Sequence, residues 1–164
     1  MTGRTKPPTR RKWARRADGI TTTRIYNTRL TPAELDRIMQ PCQLALHAMR
    51  TAAASFDQWV VLCTAGHVAE AIEDGGIYRG QRQIIEDANT ALDAIGERCG
   101  RTPGQWHPSA CYAAELIALS DLIAAHARQV HELTYREYTN AADKAVARAA
   151  TVGGLVFKVE MSTT

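Results

Sequence analysis

LTPAELDRIMQPCQLALHAMRT, residues 30–51, contains a complete helix start and a helical apolar stripe. Thr31 offers a side-chain oxygen to the free amides of the first turn. Pro32 sits where a missing N–H costs nothing, and Glu34 reaches back to close a capping box. Leu35, Ile38, Met39, Cys42, Leu46 and Met49 then recur at the spacing of one helical face, so the segment reads as an amphipathic helix running to about Thr51. Pro41 interrupts the backbone ladder, and a kink or restart is expected near Gln40.

The same punctuation repeats downstream. Ser55 and Gln58 form a second capping box, followed by Trp59, Leu62, Cys63, Gly66, Ala69 and Ile72, and the helix they mark stops before Gly75 and Gly76. The GGIYRG segment, residues 75–80, is the sharpest internal break. A third helix carries Ile84, Ile85, Ala88, Ala91, Leu92 and Ile95 to about Gly100, with Arg82, Glu86, Asp93 and Glu97 on its solvent side. Trp106 and Pro108 introduce a fourth, whose Tyr112, Leu116, Leu119, Ile123 and Val130 form the longest uninterrupted periodic pattern. That pattern marks it as the central scaffold. Thr134 and Glu137 make a third capping box, ahead of Tyr138, Ala141, Ala142, Ala145, Val146 and Ala149, and Gly153 and Gly154 end this last helix. Outside the helices, ITTTRIYN (residues 20–27) is rich in β-branched residues and LVFKVE (residues 155–160) alternates apolar with polar, so a short two-stranded ribbon is expected there. The expected fold is all-α, a bundle of about five helices with that ribbon, forming a single helical domain over residues 19–164.

Charge sets the remaining residues apart. Arg4, Lys6, Arg10, Arg11, Lys12, Arg15 and Arg16 fall within the first sixteen positions with no acidic residue among them, whereas residues 17–164 hold thirteen basic and seventeen acidic side chains. The net charge of +3 thus hides a tail of +7 on a body of −4. Residues 1–18 have Trp13 as their only large apolar side chain, too little to offset chain entropy, and are expected to be a flexible tail when unbound. The chain has no run of eighteen apolar residues, and no continuous apolar stretch follows the basic segment, so a cytoplasmic protein without a membrane role is expected. Its four cysteines are irregularly spaced within Ala- and Leu-rich helical patterns, where a free thiol behaves as a small hydrophobe.

Few residues suggest chemistry. Cys63 with His67, and His107 with Cys111, are each four apart and could aim two ligands from one helical face toward zinc, or pair a thiol with an imidazole. Neither pair has a short Cys-x-x-Cys knuckle, and Pro108 at the helix start displaces His107. The plainer reading makes Cys63 and Cys111 core residues and puts the histidines at helix edges. Glu115 with Asp121, and Glu70 with Glu73 and Asp74, could pair an acid with a base, but solvent faces carry such residues routinely. His126 and His131 read as one edge and one surface residue, and Trp59 and Trp106 as core or loop anchors. There is no phosphate loop, dinucleotide fingerprint or nucleophile elbow, and no catalytic residue, cofactor or metal is assigned.

LTPAEL at residues 30–35, FDQW at residues 56–59, AIEDGGIYRG at residues 71–80, WHPSACYAAEL at residues 106–116 and GGLVFKV at residues 153–159 together resemble an uncharacterised family of small helical proteins encoded by proteobacterial phages, prophages and mobile elements. The resemblance implies a biological setting and no mechanism. The expectation is a non-enzymatic interaction protein that binds a host or phage protein through its helical body, with homo-oligomers compatible. The alternative is a nucleic-acid-associated protein whose tail basic residues contact phosphates while Trp13 stacks on a base or enters a partner pocket. A zinc or thiol enzyme is the third and weakest reading.

Overall fold

The computed structural model describes residues 27–152. The basic segment of residues 1–18 and the expected ribbon lie outside them, apart from Asn27. Five helices form the described part: α1 (Pro32–Arg50), α2 (Phe56–Asp74), α3 (Arg82–Cys99), α4 (Ala113–Glu132) and α5 (Tyr135–Val152), with one 3-10 turn at Pro103–Gln105. The described residues contain no strand. A single antiparallel bridge joins Arg29 to Thr134, with the Leu30 N–H donating to the Leu133 carbonyl at 3.2 Å and the Tyr135 N–H to the Thr28 carbonyl at 3.1 Å. The incoming chain is therefore tied to the corner between α4 and α5. No helix among the described residues is long and apolar enough to cross a membrane.

All three expected capping boxes form. Thr31 pairs with Glu34, Ser55 with Gln58 and Thr134 with Glu137, each side chain accepting from or reaching back to the other residue's N–H. The restart offered as one outcome at Pro41 does not occur, and the start of one helix departs from expectation. Helix α1 continues through Pro41 as one element, because Ile38, Met39, Cys42, Ala45 and Leu46 are buried on both sides of it and hold the helix in place. An interior proline costs about 3 kcal/mol of helix stability, an amount that burial of two or three such side chains offsets. Helix α4 begins at Ala113, not near Trp106. The preceding residues are held out of helix by Pro108, by the His107 N–H bonded to the Cys99 carbonyl at 2.7 Å, and by the Trp106 indole N–H bonded to the Ala54 carbonyl at 2.7 Å.

The centre of the bundle is α2, not α4 as the periodicity suggests. Helix α2 packs against α1, α3, α4 and α5, and buried residues from Phe56 to Glu73 surround it on nearly every side. Between Asp57 and Glu70 it carries no formal charge, and Ala65, Gly66 and Ala69 keep its surface thin enough for neighbours to approach. At Gly96 of α3, an added Cβ would come within 2.6 Å of the Trp59 ring, so glycine there lets the indole lie flat and donate to the Leu92 carbonyl at 3.0 Å. Phe56, Trp59 and Trp106 form one aromatic cluster with ring centroids 5.5–5.7 Å apart, pinning the loop before α4 to the start of α2.

Candidate functional site

The tail residues Arg4, Lys6, Arg10, Arg11, Lys12, Trp13, Arg15 and Arg16 lie outside the described residues. The two expected ligand pairs are not brought together. Cys63 is on α2 close to the charges of Asp93 and Arg101, whereas Cys111 lies in the extended segment before α4 with its Sγ 3.9 Å from Met49 Sδ. His107 is exposed in that same segment. Among the described residues, no three His, Cys, Asp or Glu side chains are grouped to hold a metal ion. Burial, reinforced by Asp93, pushes the Cys63 thiol up to about 12, and burial pushes Cys42 up to about 11. Burial also raises Cys111, with Glu115 adding to it. These thiols are held protonated at neutral pH, the reverse of what a thiolate nucleophile or ligand needs.

Two carboxylates expected on solvent faces are buried structural acceptors. Glu73 accepts the N–H groups of Gly80 at 2.9 Å and Gln81 at 3.2 Å, capping the start of α3 from the neighbouring helix. Glu115 accepts both guanidinium nitrogens of Arg98, at 3.0 and 2.7 Å, and the Tyr112 N–H at 2.8 Å. Burial alone would raise the Glu115 carboxyl. The Arg98 and Tyr112 hydrogen bonds and the Arg98 charge outweigh it and leave the group below its ordinary value. The Arg98 guanidinium also lies 4.7 Å from the centroid of the Tyr112 ring. Exposed Asp74 accepts from Arg82 and Arg148 at 2.7 Å each, linking α2 to the start of α3 and to α5.

Next to the Arg98–Glu115 pair, an open groove of about 560 Å³ runs between α3 and α4. The helices run antiparallel, since Arg98 meets Glu115 at one end and Arg128 donates to Gln81 at 3.0 Å at the other. Ile84, Asp87, Ala91 and Ala94 line one wall at helical spacing, and Ala114, Ile117, Ala118 and Asp121 the other. Alanines keep the walls low while Ile117 stands 62% exposed beside them. Asp87 and Asp121 contribute two negative charges, and among the described residues neither is in an ion pair. Sequence reasoning missed the groove because Ile117 falls outside the periodic stripe through Leu116 and Leu119. The signal present was an apolar arc on α4 wider than its core face requires.

A second, much smaller cavity of about 20 Å³ lies between α1, α2, α4 and α5, lined by Pro41, Cys42, Thr64, His126 and Tyr138 among others. His126 is 1% exposed, a correction to its expected place at an edge or on the surface. It lies seven residues after Leu119 and four before Val130, within the buried stripe of α4. Burial lowers its pKa from 6.5 to about 4, with the Gln129 amide opposing, so the ring is neutral at pH 7.

Comparison with known proteins returns no matching family model, no matching curated protein and no matching solved structure.

Proposed function

We propose that this chain is a non-enzymatic interaction protein that binds a protein partner through the groove between α3 and α4. The observation that carries this reading is the groove itself: alanines on both walls, an exposed Ile117 and, from each helix, one carboxylate outside the described ion pairs, the form that accepts an amphipathic segment. The raised thiols of Cys42, Cys63 and Cys111, together with the structural use of Glu73 and Glu115, support a binding role over thiol chemistry or acid–base chemistry at those residues. The resemblance to helical proteins of phages and mobile elements supports a host or phage protein as the partner.

The test places a photo-crosslinking amino acid at Ile117 and, separately, at exposed Leu44 on α1. A discrete cross-linked product from position 117, absent from position 44 and abolished by Ala118→Arg, is expected. Equal products from the two positions, or none from 117, would refute groove-mediated binding.

One observation favours a second reading, a nucleic-acid-associated protein. Seven basic residues and Trp13 within sixteen positions match the needs of a phosphate backbone and an exposed base.

A further inference from the structure

We infer that the groove between α3 and α4 receives the chain's own basic segment, residues 10–16, with Trp13 seated beside Ile117 and the flanking arginines against Asp87 and Asp121. This rests on the reading of the groove as a binding surface and names an occupant for it.

Three observations select this segment. The first is charge: the described residues hold eleven basic and fifteen acidic side chains, and the groove contributes two carboxylates that no described cation neutralises. Residues 10–16, RRKWARR, carry five positive charges and no negative one. The second is shape. An alanine-walled channel offers room for one large flat side chain, and Trp13 is the only large apolar residue in residues 1–18. The third is reach. The chain enters the described structure beside Leu133 and Tyr135, at the C-terminal end of α4. From there to Ile117 is about 24 Å along the helix, whereas the fourteen residues from Trp13 to Asn27 span up to about 46 Å when extended. A short tether of this kind presents the segment to the groove at an effective concentration on the order of millimolar, so weak contacts suffice.

A second copy of the chain fits less well, because its matching groove would bring two further carboxylates to the same place. Docking of residues 10–16 would also make the groove and the tail mutually exclusive sites: what occupies one releases the other.

Fluorine NMR of the full chain labelled with 5-fluorotryptophan tests this, with the Trp13 line assigned by Trp13→Phe. Trp59 and Trp106 serve as internal reporters of an intact fold. The expected result is a Trp13 resonance displaced from the position it takes in denaturant. In Asp87→Lys/Asp121→Lys it should return most of the way, a loss of at least tenfold in the docking equilibrium, while the other two lines stay in place. A Trp13 line at the free position in the unmodified chain would overturn the inference. So would a displaced line indifferent to the groove substitutions, which would seat Trp13 elsewhere, or a displacement that appears only as protein concentration rises, which would make the occupant another molecule. A free Trp13 line combined with specific cross-linking from position 117 would overturn this inference alone and leave the groove a site for other proteins.

Discussion

His126 shows what a single residue contributes here. Its ring fills an apolar stripe, and neither its Nδ1 nor the Gln129 Oε1 makes a hydrogen bond of good geometry among the described residues. The unfolded chain binds a proton at this imidazole near pH 6.5, while the folded chain resists until about pH 4. Between those values the unfolded state holds more protons, so stability present above pH 6.5 is lost as the pH falls and levels off below about 4. The span corresponds to about 3 kcal/mol. Urea unfolding at pH 7, 6, 5 and 4 is expected to show that decline, and His126→Leu to flatten it. Parallel profiles for the two proteins would mean that the ring is solvated in the folded state. Glu115, held below its ordinary value of 4.5, begins to lose its own contribution only below about that pH, so the decline from pH 7 to 5 reports on His126 and the pH 4 point is read as the difference from His126→Leu. Both residues were legible from helical spacing, since Glu115 lies four before Leu119 and His126 seven after it. Residue type argued for the surface, and position decided otherwise.

At the scale of elements, helix ends were the best-read feature because capping is local chemistry that needs no knowledge of the fold. The end of α1 shows the limit. The Ala53 N–H donates to the Ala48 carbonyl at 3.0 Å and the Ala52 N–H to the Met49 carbonyl at 3.2 Å, the paired bonds of a Schellman cap. Ala52 occupies the left-handed position with φ of 54°, where glycine is favoured and a Cβ is strained. The segment TAAAS carries no glycine to signal it. Ala52→Gly is expected to relieve this strain by more than the added entropy of the unfolded chain, raising stability by about 0.5–1 kcal/mol. Thermal unfolding checks this, and a lowered midpoint would show that the turn is not left-handed. The late start of α4 was not legible for the opposite reason: it depends on packing partners distant in sequence, among them Ala54 for Trp106.

For the whole molecule, the number of helices followed from punctuation, but their arrangement did not. Periodicity reports how one-sided a helix is. The helix at the centre of a bundle is the least one-sided, and the charge-free stretch from Gln58 to Ala69 was the better guide to α2. The division between a +7 segment and a −4 body was visible from the start, and the docking inferred above would give it a structural counterpart in the groove. If residues 1–16 contact phosphates, binding of a single-stranded oligonucleotide should weaken with salt at a logarithmic slope of about −5, near −0.7 for each of the seven charges. Replacing the seven basic residues with glutamine should bring the slope close to zero, because the acidic body has no compensating attraction. With the tail docked as inferred, phosphates would also have to displace it from Asp87 and Asp121, so Asp87→Asn/Asp121→Asn should tighten oligonucleotide binding several-fold while changing no residue of the tail. Unchanged affinity in that variant would show that groove and tail act independently, and an unchanged salt slope in the glutamine variant would show that the tail is not the phosphate contact.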